Sequence, residues 1–246
     1  MAQIRRATIA AEVNQQIGAW LQEAGKYMLP ASWEFKSLLR SAEKLASADP
    51  YASNAARALL WHMTGDLAGA LKWVGNLNNW PANTIQTREL EAIILSNLGY
   101  FGRAATVLTE LAANATPVGW TAIPTVELVC ANVSALAAAG TEVAPSDERT
   151  QCVEVARRCN VALNNLNIEE SQVRAVLDVA GEVLRAHSMF FADDRPVVHA
   201  IDDGVLYQLQ IRADAATTTS MTDEVLLKMI ERNLDAPGLS FSFIPK

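Results

Sequence analysis

From residue 9 to 24 the apolar positions Ile9, Val13, Ile17, Trp20, Leu21 and Ala24 recur at steps of three and four. That spacing predicts an amphipathic helix over about 8–24. Gly25 and Pro30 break it, and Ser32 is placed to cap a second helix whose Phe35, Leu38, Leu39, Ala42 and Leu45 share a face up to Asp49 and Pro50. The pattern then repeats: Leu60, Gly65, Ala70 and Val74 are answered 34 residues later by Ile94, Gly99, Ala104 and Leu108. A fixed period of that length marks one helical hairpin used twice, each unit turning at its glycine and closing near a proline, Pro81 or Pro117. A hairpin unable to bury its apolar face alone must lean on its neighbours, so the middle of the chain predicts stacked antiparallel helical hairpins.

Beyond Pro117 the period is lost while helical patterning continues. Val126, Val129, Val133, Leu136 and Ala137 read as one helix ending at Gly140, a helix capped by Ser146 follows, and another spans about 169–188. The period then changes from 3.6 to 2. Val197, His199 and Ile201 alternate before Asp202-Asp203-Gly204, and Val205, Tyr207, Leu209 and Ile211 after it, which predicts a β-hairpin. A three-residue turn with Gly204 left-handed places all seven on one face, and that turn is the favoured reading over a two-residue one, which puts His199 on the other face. Thr222 or Ser220 is expected to cap a further helix, and Leu239, Phe241 and Phe243 alternate in a last strand. The expected fold class is mainly α, a helical-repeat domain over 1–190, with a small C-terminal ββαβ module over 195–246.

The residues of the two central units resemble the tetratricopeptide repeat family over about 51–116. Ala58 and Ala92 stand at its small position, Trp61 and Leu95 at its aromatic one, Ala70 and Ala104 at its alanine, and Val74 and Leu108 at its large apolar one. Asn54 with Arg88, and Arg57 with Glu91, stand where that pattern has apolar residues. The resemblance implies a TPR-like α-solenoid whose first helices line a groove. The matching groove positions include Leu59, His62 and Met63 in the first unit and Gln86, Glu89, Ile93 and Asn97 in the second, with Trp80 and Trp120 as further anchors in flanking loops.

Composition narrows the function. Half of the 246 residues are apolar, ample for a continuous core. Cys130, Cys152 and Cys159 form no CxxC pair and fit a reducing compartment, so a cytoplasmic location is expected. The start of the chain lacks the apolar run of a secretory signal, and no stretch reaches the roughly 20 apolar residues of a bilayer span, so no membrane insertion is expected. A net charge of -7 with scattered basic residues argues against nucleic acid and for a basic polypeptide partner.

The one grouping with chemical potential is His187, Asp193, Asp194, His199, Asp202 and Asp203. Linker and turn roles account for most of it, and none of the motifs HExxH, GxSxG, GxxxxGK[ST] or GxGxxG occurs. The expectation is a non-catalytic scaffold without cofactor that binds a protein client as adaptor, chaperone or inhibitor, with the sheet either docking onto the helices or offering an edge for strand addition. The alternatives are a metal-dependent hydrolase using His187, Asp194 and His199, and a structural subunit of a homo-oligomer that pairs through its exposed strand.

Overall fold

The computed structural model describes residues 2–114, 124–138, 147–191, 197–201, 204–234 and 237–246. Within these, helices α1 (Ala2–Glu23), α2 (Trp33–Leu45), α3 (Pro50–Met63), α4 (Leu67–Leu77), α5 (Thr84–Asn97) and α6 (Phe101–Asn114) follow in order, with a 3-10 turn at Pro81–Asn83. Short polar side chains set their starts. Ser32 accepts from the Phe35 amide, Asp49 from Ala52 and Asp66 from Gly69, while Pro50 opens α3 where no amide hydrogen is needed. Gly65 and Gly99 hold φ of +77° and +72°, the left-handed turn that lets the second helix of each pair fold back on the first.

These helices pack pairwise and in sequence: α3 on α4, α5 on α6, α2 on α3 and α4 on α5, with α1 touching α3 and α3 touching α5. The row of hairpins therefore begins one hairpin before the repeated units. It does not continue evenly. The helix expected from Val126 to Gly140 is broken into α7 (Pro124–Val129) and α8 (Val133–Ala138), because Ala131 turns left-handed at φ 52° and the Asn132 amide bonds back to the Glu127 carbonyl. Helices α9 (Asp147–Asn165) and α10 (Glu170–Ala186) follow, and α10 packs against α6. The closure rests on bare backbone: a β-carbon at Gly181 would lie 1.8 Å from the Gly99 carbonyl oxygen.

Strands β1 (Val197–Ile201) and β2 (Gly204–Ile211), helix α11 (Ala215–Glu231) and strand β3 (Leu239–Pro245) form the expected ββαβ unit, in sheet order β1-β2-β3. β1 is antiparallel to β2 and β3 parallel to it. Two expectations fail in detail. Ile201 pairs with Gly204 and His199 with Leu206, so two residues separate the strands and His199 falls on the face opposite Tyr207. Gly204 is not left-handed; a side chain there would strike the Gly238 carbonyl 2.0 Å away, so close approach to the β3 strand start is what calls for glycine. Helix α11 starts seven residues before Thr222, capped by Asp214 through the Thr217 amide, and the Thr222 hydroxyl instead accepts from the Phe243 amide in β3.

Val205, Tyr207, Leu209, Ile211, Phe241 and Phe243 make one buried sheet face, covered by α9 and α11. That face belongs to the same apolar cluster as Leu95, Phe101 and Leu108 of the second repeat unit and Val176, Leu177 and Ala180 of α10. Among the described residues the sheet and the second half of the helical row thus share one apolar core. Residues 188–191 then run back across the hairpin turns: the Tyr27 amide donates to Ser188, and the Phe191 amide to the Asn97 carbonyl at 2.8 Å. Phe190 enters a smaller cluster of its own, its ring 5.7 Å from Trp20, 6.1 Å from Tyr27 and 5.9 Å from His62.

Candidate interaction surfaces

The groove residues divide by burial. Leu59 and Ile93 are half-buried, Gln86 is exposed, and Glu89 and Asn97 are half-buried, so these five reach the surface of α3 and α5. His62 and Met63 do not: both are fully buried, His62 against the Phe190 ring and Met63 in the cluster shared by α1, α2 and α3. The α1 hairpin and the returning 188–191 segment cover the end of α3 that an open repeat leaves bare. Burial pulls the His62 pKa down to about 4, so its ring is neutral in the fold.

The positions that depart from the repeat pattern are answered by charge contacts. Arg57 lies with its guanidinium 4.5 Å from the centre of the Trp73 ring on α4. Arg88 bonds Glu91 at 2.5 Å and also Glu110 on α6, an ion-pair bridge where the family pattern has apolar packing. Trp80 is half-buried, edge-on to Tyr51 with ring centres 6.1 Å apart. Trp120 lies outside the described residues. Among the described residues the exposed tryptophan is Trp33, 76% exposed, with Leu29 also exposed nearby in sequence. Its position off the Phe35–Leu38–Ala42 stripe was the available signal.

The acid-histidine grouping is not brought together. His187 caps the end of α10 and its Nε2 lies 3.0 Å from Glu224 on α11, the helix that packs on β3. His199 stands exposed on β1, at the opposite edge of the sheet, and Asp194 lies outside the described residues. Among the described residues no group of three His, Cys, Asp or Glu side chains converges as a metal site needs.

A polar seam that the sequence did not announce joins α6, α7 and α10. Arg174 donates to the Ala131 carbonyl and to Glu170, whose other oxygen accepts from the Ser134 amide at 2.6 Å. Arg185 donates to the carbonyls of Leu98 and Gly99 and lies 4.0 Å from the centre of the Tyr100 ring. Asp178 accepts from the Gly102 amide at 2.9 Å; burial raises its pKa while that bond and Arg185 pull it back. Glu127 is fully buried, and burial pushes it up to about 8 against the opposing pull of Arg149. Apart from the Glu170–Arg174 pair one turn apart on α10, these contacts are long-range in sequence, so no local spacing marks them.

A cavity of about 520 Å³ lies between α9 and the open side of β1, lined by Arg157, Arg158, Val161, Leu166, Ala200 and Ile201 among others. No family model, curated protein or solved structure matches the chain. Among the described residues no helix is long and apolar enough to cross a membrane.

Proposed function

We propose that this chain is a non-catalytic protein-interaction scaffold, a TPR-like helical array that holds a client polypeptide along α3 and α5 and so acts as adaptor, chaperone or inhibitor. The observation that supports the reading is the row of first helices, α1 on α3 and α3 on α5, with Leu59 on α3 and Gln86, Glu89 and Ile93 on α5 each at least partly exposed. Apolar positions flanked by an amide and a carboxylate suit a laid-in helix or extended segment of basic character. Cys130, Cys152 and Cys159 are buried and form no disulfide among the described residues, which supports a reducing, cytoplasmic setting.

The test is quantitative affinity capture from the native host with the wild-type chain and the Leu59→Asp, Glu89→Lys and Ile93→Asp variants. A client enriched by the wild type and reduced about tenfold by each variant supports the groove. A client held equally by all four proteins removes it.

A further inference from the structure

We propose that the open edge of β1 is a second docking site, independent of the helical groove, that takes an extended acidic peptide as an added strand. The backbone pattern identifies the edge. The Val205 amide donates to Gly238 at 2.7 Å, so the polar groups of Val205 face β3, and those of Gly204, Leu206 and Gln208 face β1. Their partners in β1 are Ile201, His199 and Val197. The N–H and C=O of Val198 and Ala200 consequently point away from the sheet, toward the side where no strand is paired among the described residues.

What lies beside that edge sets the chemistry of the occupant. Helix α9 packs against β1 and presents Arg157, Arg158 and Val161, with one carboxylate, Glu154, to the cavity of about 520 Å³. Val161 is 60% exposed and Ile201 49%, more than their apolar character favours, and a strand laid along β1 covers both. Arg158 is held only by a long, exposed contact of 3.6 Å to Glu154 on the same helix, and Arg157 has no ion-pair partner among the described residues. Two guanidinium groups beside a free strand edge, on a chain of net charge -7, select an incoming strand that places carboxylates toward α9 followed by an apolar side chain at Val161.

A fluorescein-labelled peptide, acetyl-Glu-Thr-Glu-Thr-Val-Thr-Val-amide, and its counterpart with Lys for Glu, read by anisotropy, test the site. The acidic peptide is expected to bind at least about tenfold more tightly than the basic one, and the Arg157→Glu, Arg158→Glu double variant to reverse that order. Ala200→Pro removes an outward N–H without touching the ladder to β2, and is expected to weaken the acidic peptide about tenfold with an unchanged circular dichroism spectrum. Ile93→Asp in the groove leaves the affinity as it is, which separates this site from the one above. Equal binding of the two peptides, no saturation by either, or indifference to both the charge reversal and Ala200→Pro overturns the proposal. So does self-association in light scattering that Ala200→Pro abolishes, since a second copy would then own the edge.

Discussion

Gly65 and Gly99 occupy the same place in successive hairpins and the same left-handed conformation, yet their surroundings differ. A methyl group added at Gly65 meets the ring of Tyr27, whereas one added at Gly99 meets the backbone of Gly181. The first unit is closed by side chains, with Tyr27, Phe190 and Trp20 filling the space over its turn. The second is closed by main chain against main chain, fixed by Arg185 and Asp178 from α10. A repeated sequence signature thus specifies the turn but not its closure. Closure comes from residues more than seventy positions away in the second unit, where no periodic signal reaches.

The largest expected effect follows from that contrast. Gly181→Ala forces a carbon to within 1.8 Å of the Gly99 carbonyl, and neither partner is a side chain that can swing aside. It is expected to destabilise the protein by about 3 kcal/mol or more in urea unfolding, and Gly99→Ala by at least as much because the left-handed strain is added. Gly65→Ala carries the same strain against a movable ring and is expected to cost about 1–2 kcal/mol. Equal losses at Gly65 and Gly181 would erase the distinction between the two closures.

The two regions also differ in their response to pH. His62, buried within the first unit, is neutral in the fold with its pKa lowered to about 4 from an ordinary 6.5. Between those values the unfolded chain binds a proton that the folded one refuses. Its contribution is complete above pH 6.5 and is lost as pH falls toward 4, by up to about 3 kcal/mol. Glu127, beside the second unit, has the opposite sign. With its pKa raised to about 8 from 4.5, its contribution is complete below pH 4.5 and is lost as pH rises through 8. His62→Leu is expected to flatten the acid limb of the stability profile alone, and Glu127→Gln the neutral-to-alkaline limb alone. Limbs unmoved by their own variants would show that other groups set the profile.

The parts of this fold that could be read from the sequence are those governed by neighbours: the hairpin period, the cap at Ser32, the break at Asp49 and Pro50, and the change of period that announces β1 and β2. Where local rules left near-equal options, the choice fell to tertiary contact. Gly204 reads as a turn glycine until Gly238 is seen against it, and Val126 to Ala137 reads as a single helix until Arg174 is seen on the carbonyl of Ala131. Helix α11 begins in Ala-Ala-Thr-Thr-Thr-Ser, a stretch of mixed helix preference, so local pattern does not single out Asp214 as its cap over Thr222, whose hydroxyl bonds β3. Of the residues that the repeat phase marks for a groove, Leu59, Gln86, Glu89, Ile93 and Asn97 reach the surface. His62 and Met63 were lost to the surface because segments outside the repeat cover them.

The smallest effect separates the units most cleanly, because it concerns one chemical function supplied in two ways. Asp66 caps α4 from within its own unit, bonding the Gly69 amide at 2.9 Å. The residue one period later is Tyr100, which has no carboxylate, and the start of α6 is served instead by Asp178 of α10, 2.9 Å from the Gly102 amide. Asp66→Ala therefore removes a local cap and is expected to cost about 1 kcal/mol, confined to faster amide exchange in the first turn of α4. Asp178→Ala removes a cap and a tether together. It is expected to cost about 2 kcal/mol and to speed exchange in both α6 and α10, since the bond it breaks joins the two helices. Exchange confined to α6 would reduce Asp178 to an ordinary cap and leave the fastening of the second unit to α10 to Arg185 and the Gly99–Gly181 contact.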